Sequence, residues 1–270
     1  MSGATNPSPT IGSRLRRFLR RAGGIGERLI GPAGILLLWT LFHLMLGAQL
    51  IPSPWSTATV LLQLAGGKEL WLHLGASLYR ITAGIALALA AGIPLGLAAG
   101  LRRGADRLLS PLLYILYPLP KIAFLPVFML LFGLGDLSKI VLIWTIIVFQ
   151  LIIAARDGVK EIPESLFRAM KTLGVKRRQF YSDLIIPSIL PKLISALRVS
   201  LGISISVLFF GENFSTTWGI GYFVMNSWIM VNYTQMFAGI VAIGLMGIAL
   251  FRLVDRLERL LCPWRFLDDG

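Results

Sequence analysis

Six long apolar stretches, each set off by polar residues, decide what this chain can fold into: Leu29 to Leu50, Ser77 to Leu101, Leu108 to Phe132, Leu137 to Ala155, Leu193 to Phe210 and Met236 to Phe251. The hydrocarbon core of a bilayer takes about 20 apolar residues per helix, and these stretches are of that order. Of the 270 residues, 56% are hydrophobic and 14% charged, against roughly a quarter charged in a soluble domain. So few charges cannot cover a water-exposed surface. The fold class is therefore all-α, a membrane protein with about six transmembrane helices. The first stretch tolerates Pro32 in its first turn and stops at Pro52 and Pro54; residues 52–72 read as a more polar connection. The third is interrupted by Pro118, Pro120 and Pro126 and reads as one crossing built from helical pieces, closed by the turn Gly133 to Asp136. Residues 211–233, rich in Gly, Asn, Ser and aromatics, read as an outer-surface segment or one dipping partly into the membrane.

Charge then orients the spans. With the N-terminus inside, residues 1–28, 102–107, 156–192 and 252–270 face the cytoplasm and hold 21 of the 26 Lys and Arg. The outer loops hold only Lys68 and Lys139. This asymmetry places both termini in the cytoplasm. It also accounts for the net charge of +13 without nucleic-acid binding. Residues 14–21 are superficially like a twin-arginine signal, but no continuous apolar region or cleavage site follows. Residues 1–28 read as a basic cytoplasmic tail, 29–50 as the first transmembrane helix, 70–256 as the transmembrane core and 257–270 as a cytoplasmic C-terminal tail. Cys262 is the single cysteine, which excludes an intrachain disulfide and a Cys-rich metal site. His43 and His73 lack carboxylates at ligand spacing and read as packed or interfacial residues, so no metal site is expected.

Two patterns stand out. Gly84, Ala88, Gly92, Gly96 and Gly100 recur every four residues in the second span, a small-residue stripe that lets helix backbones approach closely, with Pro94 beside it as a candidate kink. The polar loop 156–192 carries eight of the basic residues. Pro163 opens a helix there, with Glu164 in its first turn. Leu166, Met170 and Leu173 form an apolar stripe at i, i+4, i+7, and Gly174 supplies the stop. A second short helix is predicted over Lys176 to Leu184. Such a basic amphipathic loop suits anionic lipid or a cytoplasmic partner.

The same loop resembles the cytoplasmic motif of bacterial ABC-importer permeases, E-A-A, three residues, G, nine residues, I-x-L-P. Here Arg168, Ala169 and Met170 stand at the first three positions, Gly174 at the glycine, and Leu184 to Pro187, with Ile186 third, at the end. Tyr117 to Pro126 (YPLPKIAFLP), Phe132 to Lys139 (FGLGDLSK), Gly211-Glu212 and Gly219 to Tyr222 are similar to permeases of the nitrate, sulfonate and taurine uptake family. The likeness spans about residues 70–256. It implies a pathway shared by two permeases, this chain pairing with itself or a homologue. It also implies a coupling loop (Glu164, Leu166, Arg168, Ala169, Met170, Leu173, Gly174, Leu184, Ile186, Pro187) inserted into separate ATPase subunits that carry ATP and Mg. An extracytoplasmic binding protein would deliver a small solute such as nitrate, a sulfonate or taurine, and alternating access would move it.

No G-x-x-x-x-G-K-[ST] phosphate loop and no hydrolase motif occurs in the sequence, so the chain is expected to be a non-catalytic subunit without its own cofactor. A secondary transporter or channel is the competing reading. It would place ionisable residues within the spans as coupling sites, and the candidates are Lys121, Arg198 and Glu212. Lys121 and Arg198 also fit snorkelling to an interface.

Overall fold

The computed structural model describes residues 30–214 and 216–266. The basic tail predicted over residues 1–28 and the last four residues of the 257–270 tail lie outside the described residues. Among these, the regular structure is helical. The chain divides into two compact units, residues 1–60 and 61–270.

In the first unit, α1 (Ile30–Leu46) is apolar but about 25 Å long, shorter than the span read over 29–50. It stops at Gly47, whose φ of 82° leaves the helical region. The chain then turns back, so that Trp39 Nε1 donates to Pro52 O at 3.0 Å and His43 Nδ1 meets Ile51 O at 2.6 Å. The connection read over residues 52–72 is itself helical: α2 (Pro54–Gly66) begins here. The Ser53 hydroxyl accepts from the Ser56 N–H at 3.0 Å, which satisfies one orphan donor of its first turn.

The second unit contains α3 (Glu69–Leu101), α4 (Arg103–Leu116), α5 (Leu125–Phe132) and α6 (Asp136–Lys160). After them come α7 (Glu164–Thr172), α8 (Arg177–Glu212), α9 (Ile220–Ile229) and α10 (Tyr233–Leu261). Helices α3, α6, α8 and α10 are long and apolar enough to cross a membrane, and α4 with Lys121–Phe132 makes a fifth if their 89° bend counts as one span. The bend falls where Pro118 and Pro120 withhold N–H donors and bias the preceding residues away from helix. The second short helix predicted over Lys176 to Leu184 is not separate. It runs through π-helical turns at Phe180–Ile185 into the following span. The wider turns fall where Pro187 supplies no N–H and crowds the Asp183 carbonyl.

Helix α6 is the centre of the unit. Leu142, Ile143, Ile147, Leu151 and Ala155 have no exposed surface. The small-residue stripe of α3 lies along it. A Cβ added at Gly84 would stand 2.8 Å from Ile143 Cβ, at Gly92 2.9 Å from Leu151 Cβ, at Gly96 2.5 Å from Ala155 Cβ and at Gly100 2.7 Å from Val159 Cβ. Ala88, between them, is fully buried. Each pair is separated by the same 59 positions. A constant offset of this kind means that α3 and α6 run parallel. The chain leaving α3 at Leu101 must therefore travel back the length of α6 before Asp136, and α4 and α5 make that return. Contacts of Gly158 with Ile189 and of Gly211 with Leu142 run the opposite way, so α8 is antiparallel to α6. Arg198 pairs with Asp255, and Gly247 faces Ile205, so α10 is antiparallel to α8. The unit thus has an Asp136 end and a Lys160 end.

Candidate functional site

The Lys160 end carries the loop singled out by sequence. Pro163 precedes α7, whose first turn holds Glu164 and last turn Lys171, matching the helix dipole at both ends. The helix closes in a Schellman arrangement. Gly174, with φ 59°, donates to Lys171 O at 3.1 Å, and Val175 N–H reaches Met170 O at 3.4 Å. The predicted stripe splits between two faces. Met170 is half-buried and packs inward together with Phe167, whose ring lies 5.7 Å from that of Phe180. Leu166 and Leu173 point away and are 46% and 74% exposed; Ala169 is exposed beside them. Arg168 reaches back one turn to Glu164 at 2.7 Å, both side chains open to solvent. Leu184 is buried at the base of α8, and Ile186 is exposed.

The same end is tied together by charge. Asp106 of α4 accepts from Lys160 at 2.6 Å and from Ser110 at 2.7 Å, and Arg156 donates to Ser110 at 2.9 Å. Lys192 pairs with Glu161. Arg198, a pathway candidate by sequence, bonds Asp255 at 2.8 Å and also Glu258, which Arg265 holds at 2.5 Å. Its charge is used within the bundle, between α8 and α10.

At the Asp136 end a second cluster is assembled from distant segments. Glu212, the last residue of α8, is fully buried. Its carboxylate accepts from Arg80 Nη1 at 2.6 Å, from Ser77 Oγ at 2.7 Å and from the Gly221 N–H at 2.8 Å. Ser77 Oγ in turn accepts from the Ile220 N–H at 2.9 Å. Arg80 extends through Nε and Nη2 to Asp136, at 2.8 and 2.7 Å. Buried charge is tolerated here because every partner is present. Gly219, with φ 145°, passes so close that a Cβ would lie 2.5 Å from Glu212 Cδ; a side chain has no room. The Gly219 N–H donates to His73 Nδ1 at 3.1 Å, and the His73 ring sits among Trp218, Tyr222 and Phe223. An open cleft of about 670 Å³ adjoins the cluster, bordered by Arg80, Asp136, Thr216, Thr217 and Trp218. Lys139, fully buried, donates to Leu134 O at 2.5 Å and Gly135 O at 3.1 Å.

Between the two ends stands Lys121, in the break between α4 and α5. Its ammonium donates to Leu116 O at 2.8 Å and to Tyr117 O. Among the described residues no group of three or more His, Cys, Asp or Glu side chains could hold a metal ion.

Residues 92–265 match the family of binding-protein-dependent transport system inner membrane components. The chain belongs to that family. It is an inner-membrane permease of an ABC importer. The permease is 34% identical to the taurine transport system permease protein of Escherichia coli, over 87% of this chain and 88% of that protein. It is 27% identical to the bicarbonate transport system permease protein of Synechococcus elongatus, over 92% of this chain and 93% of that one. Among solved structures, an inward-facing MetNI methionine ABC transporter superposes with a TM-score of 0.57 at 19% identity, over 72% of this chain and 94% of that one, a likeness of fold.

Sequence reasoning about the permease missed Phe167, which is half of the inward face of α7. It also missed the joining of Ser77 and Arg80 to Glu212. For Phe167 a signal existed: Phe167 and Met170 are spaced i, i+3, as compatible with one helix face as Leu166 and Met170. For the cluster no local signal existed, because its members meet across more than 130 positions.

Proposed function

We propose that this permease forms half of the membrane pathway of an ATP-driven importer and docks through α7 onto a separate ATPase subunit, which carries ATP and Mg. Its solute is a small molecule bearing an anionic group, such as taurine, another sulfonate, nitrate or bicarbonate, handed over by an extracytoplasmic binding protein. A second permease, identical in the simplest assembly, completes the pathway. The Lys160 end and both termini face the cytoplasm, and the Asp136 end faces outward.

The observation that carries this reading is the form of α7. A helix lying on lipid would turn its apolar side chains to the bilayer, yet Phe167 and Met170 are turned to the protein. What stays bare is a compact pair, Leu166 and Leu173, suited to a groove on a partner. From the turn after α7, α8 runs as one helix to Glu212, so a displacement of the loop has a continuous rod to the other end. ATP shifts the assembly between inward and outward states to the extent that it binds one of them better. Arg198 and Glu212, two of the three ionisable candidates within the spans, are internally paired, which favours this reading over ion-coupled transport.

The test is co-purification and taurine uptake with Leu166→Glu and Leu173→Glu. Each buried leucine contributes about 1.5–3 kcal/mol, so assembly and uptake should fall about tenfold or more per variant. Wild-type assembly and uptake in the double variant overturn the docking role of α7.

A further inference from the structure

Lys121 borders a cavity of about 370 Å³ whose walls include Tyr117, Phe149 and Gln150. Helix α6 runs from Asp136 to Lys160, so Phe149 and Gln150 lie near its middle, about 15–21 Å from either end. A cation at that depth is expensive unless it is paired or used. Arg80 and Arg198 are paired with carboxylates. Among the described residues no carboxylate lies within ion-pairing distance of Lys121. Its ammonium is held instead by two main-chain carbonyls and stands 5.4 Å from the ring centre of Tyr117 and 5.3 Å from that of Phe149. Carbonyl dipoles and ring faces stabilise a cation without cancelling its charge. Two of the three ammonium protons are committed to the carbonyls, leaving one to give. On the same wall, Gln150 Nε2 donates to the Tyr117 hydroxyl at 2.9 Å. That hydroxyl acts as acceptor in this bond and keeps its own proton to donate.

A net positive charge, a spare N–H and a spare O–H therefore meet at mid-depth beside a cavity large enough for a small solute. We infer that Lys121 and Tyr117 form an anion step in the solute path, a transient site for the sulfonate, carboxylate or oxyanion group of the transported molecule. This rests on the importer reading above. The step selects for negative charge a second time, within the membrane, after the binding protein has let go. Two donors rather than a closed cage keep the stop brief.

The experiment uses the full permease reconstituted in liposomes with its ATPase and binding protein. Uptake of taurine, ethanesulfonate, nitrate and bicarbonate is measured beside ATP hydrolysis. A hydrogen bond to a charged group corresponds to roughly ten- to a hundredfold, so Lys121→Met should lower uptake by that factor while binding-protein-stimulated hydrolysis continues, and Lys121→Arg should keep most of it. Lys121 also caps the end of α4, and a relocated charge separates the two roles. In Lys121→Met with Gln150→Lys the cation returns to the cavity from α6 without the cap. Recovery of uptake in the double variant supports the anion step. A double variant as slow as Lys121→Met overturns it, as does wild-type uptake by Lys121→Met. A wild-type complex that assembles and hydrolyses ATP but accepts none of the four solutes also overturns it and leaves the importer reading standing. Failure to assemble with any ATPase removes both.

Discussion

Arg80 Nη1 donates to Glu212 Oε1 across 2.6 Å, joining α3 to the end of α8 over 132 positions of sequence. The other face of the same guanidinium holds Asp136, the first residue of α6. One side chain thus fixes three of the long helices at a single level, and Ser77 and the Gly221 N–H complete the carboxylate's shell.

Removing Arg80 leaves the buried Glu212 without its counter-charge, whereas removing Glu212 leaves Arg80 still paired with Asp136. Arg80→Met should destabilise the permease by about 3–5 kcal/mol, and Glu212→Leu by less, because Asp136 still neutralises Arg80. The double variant should be no worse than Arg80→Met alone, because the orphaned carboxylate leaves with its partner. Thermal unfolding of the detergent-purified protein checks this; additive losses in the double variant would show that the two residues act independently.

The glycine seam makes a contrasting pair of predictions on one helix. Gly96→Ala would set a Cβ 2.5 Å from Ala155 Cβ and 2.7 Å from Ile152 O, and overpacking of that kind costs about 1–3 kcal/mol. Gly75→Ala, also within α3, meets nothing within 4 Å and should stabilise by about 0.5–1 kcal/mol through the backbone entropy of the unfolded chain. Opposite shifts in melting temperature are the expected result.

Gly174 occupies the left-handed region at φ 59° with open space around it. A Cβ there is limited by backbone conformation alone, at about 1–2 kcal/mol. Gly174→Val should loosen the end of α7, speeding amide exchange at Gly174 and Val175, and should weaken ATPase binding while leaving the melting temperature of the bundle unchanged.

The assignment of sides is open to chemical labelling. Thr217 and Leu173 are exposed at the Asp136 and Lys160 ends respectively, and Cys262 is buried. In intact cells a membrane-impermeant maleimide should label Thr217→Cys and spare Leu173→Cys; in inverted vesicles the pattern should reverse. Labelling of both from one side would remove the proposed orientation.

What could be read from sequence follows the range of the physics involved. Hydropathy over 20 residues is a local quantity, and it located the stretches that become α3, α6, α8 and α10. Spacing within one helix is local too, so the stripe from Gly84 to Gly100 was visible, although its partner was not. The Gly174 turn was legible because a left-handed closure favours one residue type. The fusion of the predicted Lys176–Leu184 helix into α8 was not, since a π-helical passage around Pro187 leaves no periodic signature. Glu212 could be noticed as an acid in an apolar context, but its saturation by Arg80, Ser77 and Gly221 depends on tertiary approach. The split of Leu166 from Met170 likewise depended on where Phe180 would lie.

The constant separation along the α3–α6 seam also bears on where this chain can change length. Inserting one residue within either helix between Gly84 and Gly100, or between Ile143 and Val159, would rotate everything beyond it by about 100° and turn the remaining glycines away from their seats. An insertion between Arg103 and Gly135 leaves that seam in phase but, within α4, would turn Asp106 and Ser110 away from Lys160 and Arg156. Length variation in this permease should therefore stay out of its two parallel helices, which should tolerate substitution far better than any gain or loss of a single residue.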